Sequence, residues 1–216
     1  MKKSINITPA LKAFKRGPSL GLSMWHLGSL TTNLAEKKDT NGAFCLVEGT
    51  LAPGSEPPPH VHTREDELFY VLEGEFDVYV GKEAFKVESG ECVFLPRFKP
   101  HAFVIRSPRL RVLALFSPAG LEEAFRSIDS PAQSLELPTA MLTNSTDAGK
   151  ALQGIKQLTA GDMNQTVQLL SEYGVQMLAR DEIADRLPLY PRPLPPNPRK
   201  VTADFNVAEP AGVGSR

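Results

Sequence analysis

Apolar and polar residues alternate in short runs through the first half of the chain, from about Leu20 to Phe116. The clearest example is "ELFYVLEGEFDVYVGKEAFKVESGECVFLP", in which such runs are separated by residues that favour turns. Alternation with a period of two is typical of strands that bury one face. Many short strands joined by glycine-bearing turns predict an antiparallel all-β sandwich or barrel.

Turn residues separate these predicted strands at regular intervals. Gly74, Gly81 and Gly90 each follow a run of alternating residues. Earlier in the chain, "DTNG" (Asp39 to Gly42) lies between "SLTTNLAEK" and "AFCLVEGTL". The Asn-Gly pair is a strong indication of a hairpin, so these two runs are expected to pair with each other.

The periodicity changes after Ser117. In "SPAGLEEAFRSID", Ser117 is the expected N-cap of a helix, Pro118 its first residue, and acids occupy the first turns. A second helix is predicted in "TAGDMNQTVQLLSEYG", where Gly174 would end it. Its apolar residues recur at helical spacing, at Met163, Val167 and Leu170. Both helices are expected to pack on the outside of the barrel.

The last part of the chain, "RLPLYPRPLPPNPRK", contains prolines at a density that excludes a helix or a central strand. We therefore predict three regions along the chain. Residues 1–118 form the barrel with its N-terminal strands, and residues 119–180 form a helical segment packed on it. Residues 181–216 form a proline-rich tail that is extended or disordered.

Composition narrows the class of protein. The formal net charge of −1 over 216 residues offers no basis for binding nucleic acid or an anionic membrane surface. The first residues predict no signal peptide, and no apolar run is long enough to span a bilayer. Cys45 and Cys92 lie far apart in strand-like runs, as expected of buried free thiols in a reducing compartment. We therefore expect a cytoplasmic protein.

Two of the chain's four histidines, His60 and His62, are separated by a single valine. An isolated pair of this kind is more often two ordinary loop residues than a metal site. Residues two apart on a strand point the same way, however, and a turn can bring Glu67 to the same interior. His101 follows from a separate hairpin. Three imidazoles and one carboxylate suit one divalent transition metal (Fe, Mn, Ni, Co, Cu or Zn) and leave positions open for substrate or dioxygen.

The spacing of these residues resembles the two sequence motifs of the cupin superfamily. The first motif reads G-x5-H-x-H-x4-E-x6-G from Gly54 to Gly74, and the second reads G-x5-P-x4-H from Gly90 to His101. The resemblance implies a jelly-roll barrel, also described as a double-stranded β-helix, in which His60, His62, Glu67 and His101 hold the metal.

Further stretches look like single-domain bacterial cupins related to quercetin 2,3-dioxygenase, among them "PPPHVHTREDELFYVLEGEF", "LPRFKPHAF" and "SPAGLEEAFRSI". This finer resemblance implies a metal-dependent dioxygenase that acts on an enolisable aromatic or diketone-type small molecule, such as a flavonol. Glu67 would then also accept the acidic proton of the substrate. An apolar cavity would favour a flat ring and exclude water.

The chain departs from the second motif at two positions. Phe98 stands where the family has a glycine, so the turn is either built differently or carries a ring that caps the site. Ile105 stands where an asparagine is common, which makes the cavity more apolar. Strand parity makes Phe69, Val71, Phe98, Phe103 and Ile105 candidates for a substrate pocket, although the barrel core is an equal alternative.

Other polar residues near these motifs receive less specific interpretations. Glu65 and Asp66 are expected to be solvated acids of a turn. His26, next to the only tryptophan, is expected to be a packed or surface histidine.

Two other function classes stay open. A metal-assisted isomerase, lyase or hydrolase acting on a small polar metabolite should direct several Arg, Lys or Asn side chains inward. Arg97 and Arg106 are the nearest candidates, and surface exposure suits both better. A non-enzymatic ligand-binding or metal-storage protein is the other alternative. Related barrels pair sheet edges, so we also expect a homodimer in which the N-terminal strands or the proline-rich arm cross to the neighbour.

Overall fold

Two antiparallel sheets contain all the strands of the described part of the chain, residues 11–142 and 163–190 of a computed structural model. Their strands are β1 Ser23–His26, β2 Ser29–Ala35, β3 Cys45–Leu51, β4 His60–His62, β5 Asp66–Glu73, β6 Glu75–Val80, β7 Glu83–Glu88, β8 Cys92–Leu95, β9 His101–Ile105, β10 Leu110–Ser117, β11 Ser130–Pro131 and β12 Val175–Met177. One sheet has the order β11-β1-β2-β3-β10-β5-β8 and the other β12-β4-β9-β6-β7. The predicted all-β antiparallel barrel is confirmed.

The apolar residues of the alternating runs face each other between the two sheets. Phe76 and Val78 of β6 and Val71 of β5 are fully buried there. The rings of Phe69, Phe76 and Phe103 pack edge to face, with centroids 5.6–5.8 Å apart. Edge-to-face packing places the positive edge of one ring against the negative face of the next, which adds to the stabilisation from burial.

The hairpin predicted at "DTNG" is present, because β2 pairs with β3. The connection is longer than a tight turn, since it contains the one-turn helix α1 (Lys37–Thr40). Asn41 and Gly42 follow α1 with φ of 55° and 82°. Both residue types tolerate this left-handed backbone, so the Asn-Gly pair ends α1 and directs the chain into β3.

Four further helices lie outside the sheets in the described residues: α2 Leu121–Ile128, α3 Thr139–Leu142, α4 Met163–Glu172 and α5 Arg180–Arg186. A 3-10 turn precedes β1 at Leu20–Leu22. The predicted start of α2 is wrong, because Ser117 is still paired with Asp66 in the sheet and Gly120 is the residue before the helix. Helix α4 is followed by Gly174 with φ of 92°, in agreement with the predicted end.

The C-terminal segment contributes strands as well as helices. Strand β11 pairs with β1 at one edge of the larger sheet, and β12 pairs with β4 at one edge of the smaller sheet. The prediction of a purely helical segment over residues 119–180 missed both strands, which are too short to show an alternating pattern. Residues 143–162 of this segment lie outside the described part of the chain.

The predicted tail begins later than expected, because residues 181–190 pack against the barrel. Helix α5 covers the first of them, and Leu187 directly after it is fully buried. The ring of Tyr190 lies 5.4 Å from that of Tyr79. The apolar residues of this stretch thus pack against the barrel, on the N-terminal side of the residues richest in proline. Residues 191–216 lie outside the described part of the chain, and the homodimer with its crossing arm stays a prediction.

The two cysteines differ in their surroundings. Cys45 is buried and Cys92 is exposed, and both are free thiols. The expectation of burial is therefore wrong for Cys92, because it lies on the outer face of β8 at the edge of the larger sheet. Among the helices of residues 11–142 and 163–190, none has the length and apolar character that crossing a bilayer requires.

Phe98 adopts the backbone conformation that a glycine would favour. Its φ is 65°, its backbone N–H donates a 2.7 Å hydrogen bond to the carbonyl oxygen of His62, and its side chain is exposed. The turn between β8 and β9 thus has a left-handed residue at the position where the motif has a glycine, despite the phenylalanine. The alternative expectation of a differently built turn is wrong.

We predict that Phe98→Gly stabilises the protein. The left-handed conformation costs a non-glycine residue about 1–2 kcal/mol, whereas the extra backbone entropy of glycine costs about 0.5–1 kcal/mol. The ring is 65% exposed, so its removal sacrifices little packing. The free energy of unfolding in urea should rise by about 0.5–1 kcal/mol in Phe98→Gly. Phe98→Ala removes the same ring without relieving φ, and an equal gain in that variant would contradict the explanation.

Candidate metal centre

Strand β4 carries two of the predicted ligands and is paired along both edges. Its register sets His60 opposite His101 of β9 on one side, while on the other side β12 pairs Val175 with His62 and Met177 with His60. Because β4 is hydrogen-bonded on both sides, its backbone holds the two imidazoles in fixed positions. All three histidines are buried.

The fourth predicted ligand comes from the opposite sheet. Glu67 lies near the start of β5, beyond the turn that follows β4, and its carboxylate reaches the three imidazoles from the other side of the barrel. The Nε2 atom of His60 lies 3.1 Å from the Nε2 atoms of both His62 and His101. Glu67 Oε2 lies 3.7 Å from His62 Nε2 and 3.5 Å from His101 Nε2.

These separations fit a metal ion at the centre of the four residues. Ligand atoms about 2.1 Å from a common ion stand about 3.0 Å apart at a right angle and about 3.4 Å apart at a tetrahedral angle. The four candidate ligand atoms all lie within 4.8 Å of one another. His60, His62, Glu67 and His101 can therefore hold one metal ion, and imidazole with carboxylate is a donor set suited to divalent transition metals.

The three imidazoles are prepared to offer their Nε2 lone pairs. Nδ1 of His60 bonds to the carbonyl oxygen of Pro58 at 2.8 Å, and Nδ1 of His101 bonds to that of Lys99 at 3.2 Å. A carbonyl oxygen only accepts, so each Nδ1 carries the proton. Burial lowers the pKa of His60 well below its usual value, and the imidazoles of His101 and His62 lower it further. Neutral imidazole is the form that binds metal.

The third imidazole, that of His62, lies near the carboxylate of Glu65, whose surroundings were predicted wrongly from the sequence. Glu65, expected to be a solvated acid, is only 3% exposed, and its Oε2 atom lies 3.6 Å from Nδ1 of His62. Neither atom has a hydrogen-bond partner among the described residues. A metal-bound imidazole commonly donates its other N–H to a carboxylate. Glu65 is thus placed to orient His62. The run of three consecutive acids to which it belongs gave no indication of this role.

The neighbouring acid, Asp66, has a structural role on the barrel surface. Its Oδ2 atom lies 2.6 Å from Nη2 of Arg97, and this side-chain hydrogen bond lowers the pKa of the Asp66 carboxyl. Asp66 is not one of the clustered ligand residues. This ion pair holds the Arg97 side chain outside the site, where the sequence analysis expected it.

A cavity of about 280 Å³ adjoins the cluster, and its wall is mainly apolar. It reaches His60, His62 and Glu67 and lies between the inner faces of the two sheets. Helices α2 and α4 contribute Leu121, Phe125 and Leu170 to its wall. A cavity of this kind can enclose a small, flat and largely apolar molecule beside the metal ligands.

Of the five pocket residues predicted from the sequence, Phe69 and Phe103 line this cavity. Val71 and Ile105 are buried in the core and do not line the cavity, which is the alternative that the sequence left open for them. Both have inward strand parity, which the core and the cavity wall share. Phe98 is on the surface and does not cap the cavity, so that prediction is wrong.

His26 also lines the cavity, although the sequence interpretation treated it as a packed or surface residue. Its Nδ1 atom lies 2.6 Å from Oδ1 of Asp129, and its ring centroid lies 4.5 Å from that of Phe125. Strand alternation sets His26 opposite to Trp25, but the sequence does not indicate which face lines a cavity. Asp129 is 103 residues away along the chain, so local patterns could not reveal the pair.

Comparisons with known proteins agree with the fold. A family model described as the cupin domain matches residues 47–116. Quercetin 2,3-dioxygenase of Bacillus subtilis (strain 168) is 24% identical over 98 residues, which are 45% of this chain and 29% of that protein. An uncharacterized protein of Streptomyces coelicolor is 33% identical over 91 residues, 42% of this chain and 81% of that protein. The chain belongs to the cupin superfamily.

Solved structures include KdgF from Halomonas sp., which aligns with a TM-score of 0.40 and 26% identity. The alignment covers 44% of this chain and 84% of that one. The match to the Bacillus enzyme spans less than a third of that enzyme's length, at 29%.

We predict that Glu65→Leu weakens metal binding without removing a ligand. The substitution removes the carboxylate that lies 3.6 Å from Nδ1 of His62, and loss of such an outer partner typically costs about 10- to 100-fold in metal affinity. Glu65→Gln keeps a carbonyl acceptor and should lose less. Equilibrium competition with a chelator measures both affinities. Unchanged affinity in Glu65→Leu would show that Glu65 does not orient His62.

Proposed function

We propose that this protein is a metal-dependent dioxygenase that acts on an enolisable aromatic or diketone-type small molecule. The observation that carries the proposal is that three of the four clustered ligands, His60, His62 and Glu67, line a largely apolar cavity. Such a site binds a polar chelating group and a flat apolar ring of the same substrate. The native metal and dioxygen would be the other two participants.

His60, His62, Glu67 and His101 would hold one divalent transition metal. A metal bound by four protein residues keeps open positions, where it supplies a Lewis acid for the enol oxygen and a site for dioxygen. The protein residues fix these positions from two sheets, so substrate and dioxygen would meet in a defined orientation. Proximity and orientation of this kind contribute substantially to rate.

Glu67 would also accept the proton of the bound enol. Its carboxylate adjoins the cavity, and the residue is only 5% exposed. An enol that loses its proton to Glu67 becomes an electron-rich enolate, which is the form that reacts with dioxygen. One residue would thus serve as metal ligand and as general base.

The wall of the cavity favours an apolar substrate over a small polar metabolite. Among the described residues, no Arg, Lys or Asn side chain lines it. Arg97 is paired with Asp66, and Arg106 is paired with Asp77 at 2.7 Å. Phosphate or carboxylate groups of a metabolite would therefore find no Arg or Lys side chain in this part of the cavity. An isomerase, lyase or hydrolase with such a substrate fits the site less well.

Similarity to quercetin 2,3-dioxygenase of Bacillus subtilis supports the same reaction class. The similarity is distant and covers part of that enzyme, so the substrate is proposed from the site. A flavonol fits the proposed site, because it combines an enolic hydroxyl next to a carbonyl with a flat aromatic ring system.

We predict that Glu67→Gln keeps much of the metal but loses turnover. Glutamine has nearly the shape of glutamate and offers a carbonyl oxygen to the metal, but it does not accept a proton at neutral pH. Oxygen consumption with 3-hydroxyflavone should fall by about 100-fold or more, the usual share of general-base catalysis. Metal content and oxygen uptake are measured on the same preparations.

Glu73→Gln is the matched control, because it makes the same chemical change on the exposed part of β5. It should behave as the wild type. Wild-type turnover in a metal-loaded Glu67→Gln would limit Glu67 to the role of ligand. Absence of oxygen uptake by the metal-loaded wild type with any enolisable substrate would overturn the dioxygenase proposal and favour a non-oxidative enzyme or a ligand-binding protein.

A further inference from the structure

The pair formed by His26 and Asp129 has the features of a built polar site at a distance from the metal ligands. Asp129 is almost fully buried, with 2% of its side chain exposed, and its Oδ1 atom bonds to Nδ1 of His26 at 2.6 Å. A carboxylate only accepts, so this bond fixes the proton on Nδ1 and leaves Nε2 of the neutral ring as an acceptor. No described residue hydrogen-bonds to Nε2, and His26 lines the cavity.

The electrostatics of the pair favour a hydrogen-bond donor at Nε2. Burial raises the pKa of the Asp129 carboxyl, and the hydrogen bond from His26 opposes that rise. A carboxylate that accepts the bond from Nδ1–H also polarises the ring and makes Nε2 a stronger acceptor. A substrate carboxylate or phosphate would bring a further negative charge toward Asp129. A neutral hydroxyl, above all an acidic phenolic one, suits this position better.

The position of the pair in the sheet separates it from the metal ligands. His26 is on β1 and Glu67 on β5, which are four strand steps apart in the order β1-β2-β3-β10-β5. Four steps amount to about 19 Å along the sheet, and the curvature of the barrel and the two side chains shorten the gap. The cavity wall between them includes the small residues Gly49 of β3 and Ala114 of β10, which leave room for a flat ring.

We propose that His26, oriented by Asp129, binds a hydroxyl group at the end of the substrate remote from the metal-chelating group. This inference rests on the proposed function and adds a second polar contact to it. The substrate would then be a molecule with an enol at one end, an aromatic body against the apolar wall, and a phenolic hydroxyl at the other end. His26 would determine specificity, and Asp129 would position it.

The test compares three flavonols that differ by a single hydroxyl: 3-hydroxyflavone and its 4′- and 7-hydroxylated derivatives. Dissociation constants are measured with metal-loaded protein under nitrogen, so that no turnover occurs. One of the two hydroxylated compounds should bind the wild type about 2- to 10-fold more tightly than 3-hydroxyflavone, the usual effect of one added hydrogen bond. That gain should disappear in His26→Phe and shrink in Asp129→Asn.

Two readouts distinguish this role from a structural one. The metal content should be unchanged in His26→Phe, and each hydroxylated compound is compared with 3-hydroxyflavone in the same variant, so that a general effect of the altered wall cancels. Thr31→Val is the matched control, since Thr31 lines the cavity on the neighbouring strand β2 and its loss removes a different hydroxyl. The gain should persist in that variant.

The outcomes separate this inference from the proposed function. Wild-type protein that binds all three compounds equally, or a gain that survives in both His26→Phe and Asp129→Asn, would overturn the role of His26 and leave the dioxygenase proposal intact. A gain that depends on His26 without any oxygen uptake would support the binding site and overturn the reaction. Binding of none of the three compounds would overturn both.

Discussion

The constraint on which the site depends is the burial of three imidazoles and one carboxylate within 4.8 Å of one another. Buried polar groups are costly unless they are satisfied, and these four direct lone pairs at a common point. Two of the imidazoles are fixed by backbone carbonyls at Nδ1, which commits their Nε2 atoms to that point. A metal ion satisfies all four at once, so the stability of this part of the barrel and its chemistry are linked.

The C-terminal segment completes the site and is not an appendage to the barrel. Strand β12 closes the free edge of β4, and the carbonyl oxygen of Gly174 accepts bonds from the backbone N–H and side-chain hydroxyl of Thr63 at 2.8 and 2.9 Å. A Cβ at position 174 would lie 2.7 Å from the Thr63 hydroxyl, so glycine permits this approach. Helix α4, directly before it, lines the cavity. The segment thus holds the ligand strand and shapes the substrate space.

Much of the fold could be predicted because it depends on local patterns, and the four-residue ligand set could be predicted through the resemblance to the cupin motifs. Alternation predicts strands, and the separation of His60 from His62 by one residue places both on one face. The rest depends on tertiary contacts. Glu65 looks like any turn acid until the barrel buries it, and His26 acquires its role only from Asp129. Val71 and Ile105 have the correct parity, yet parity does not distinguish the core, where both lie, from the cavity wall. The three-residue strand β12 is too short to carry a pattern.

X-ray absorption at the metal edge, combined with elemental analysis, tests the metal centre most directly. The account predicts about one transition metal per chain, with imidazole nitrogens and oxygen at about 2.0–2.2 Å and no sulfur. The control variant His26→Ala, which lacks the remaining histidine, should give the same spectrum and metal content. The double variant with His62→Ala and His101→Ala should hold no metal. Stoichiometric metal in that double variant, or a sulfur ligand from Cys45 or Cys92, would contradict the account.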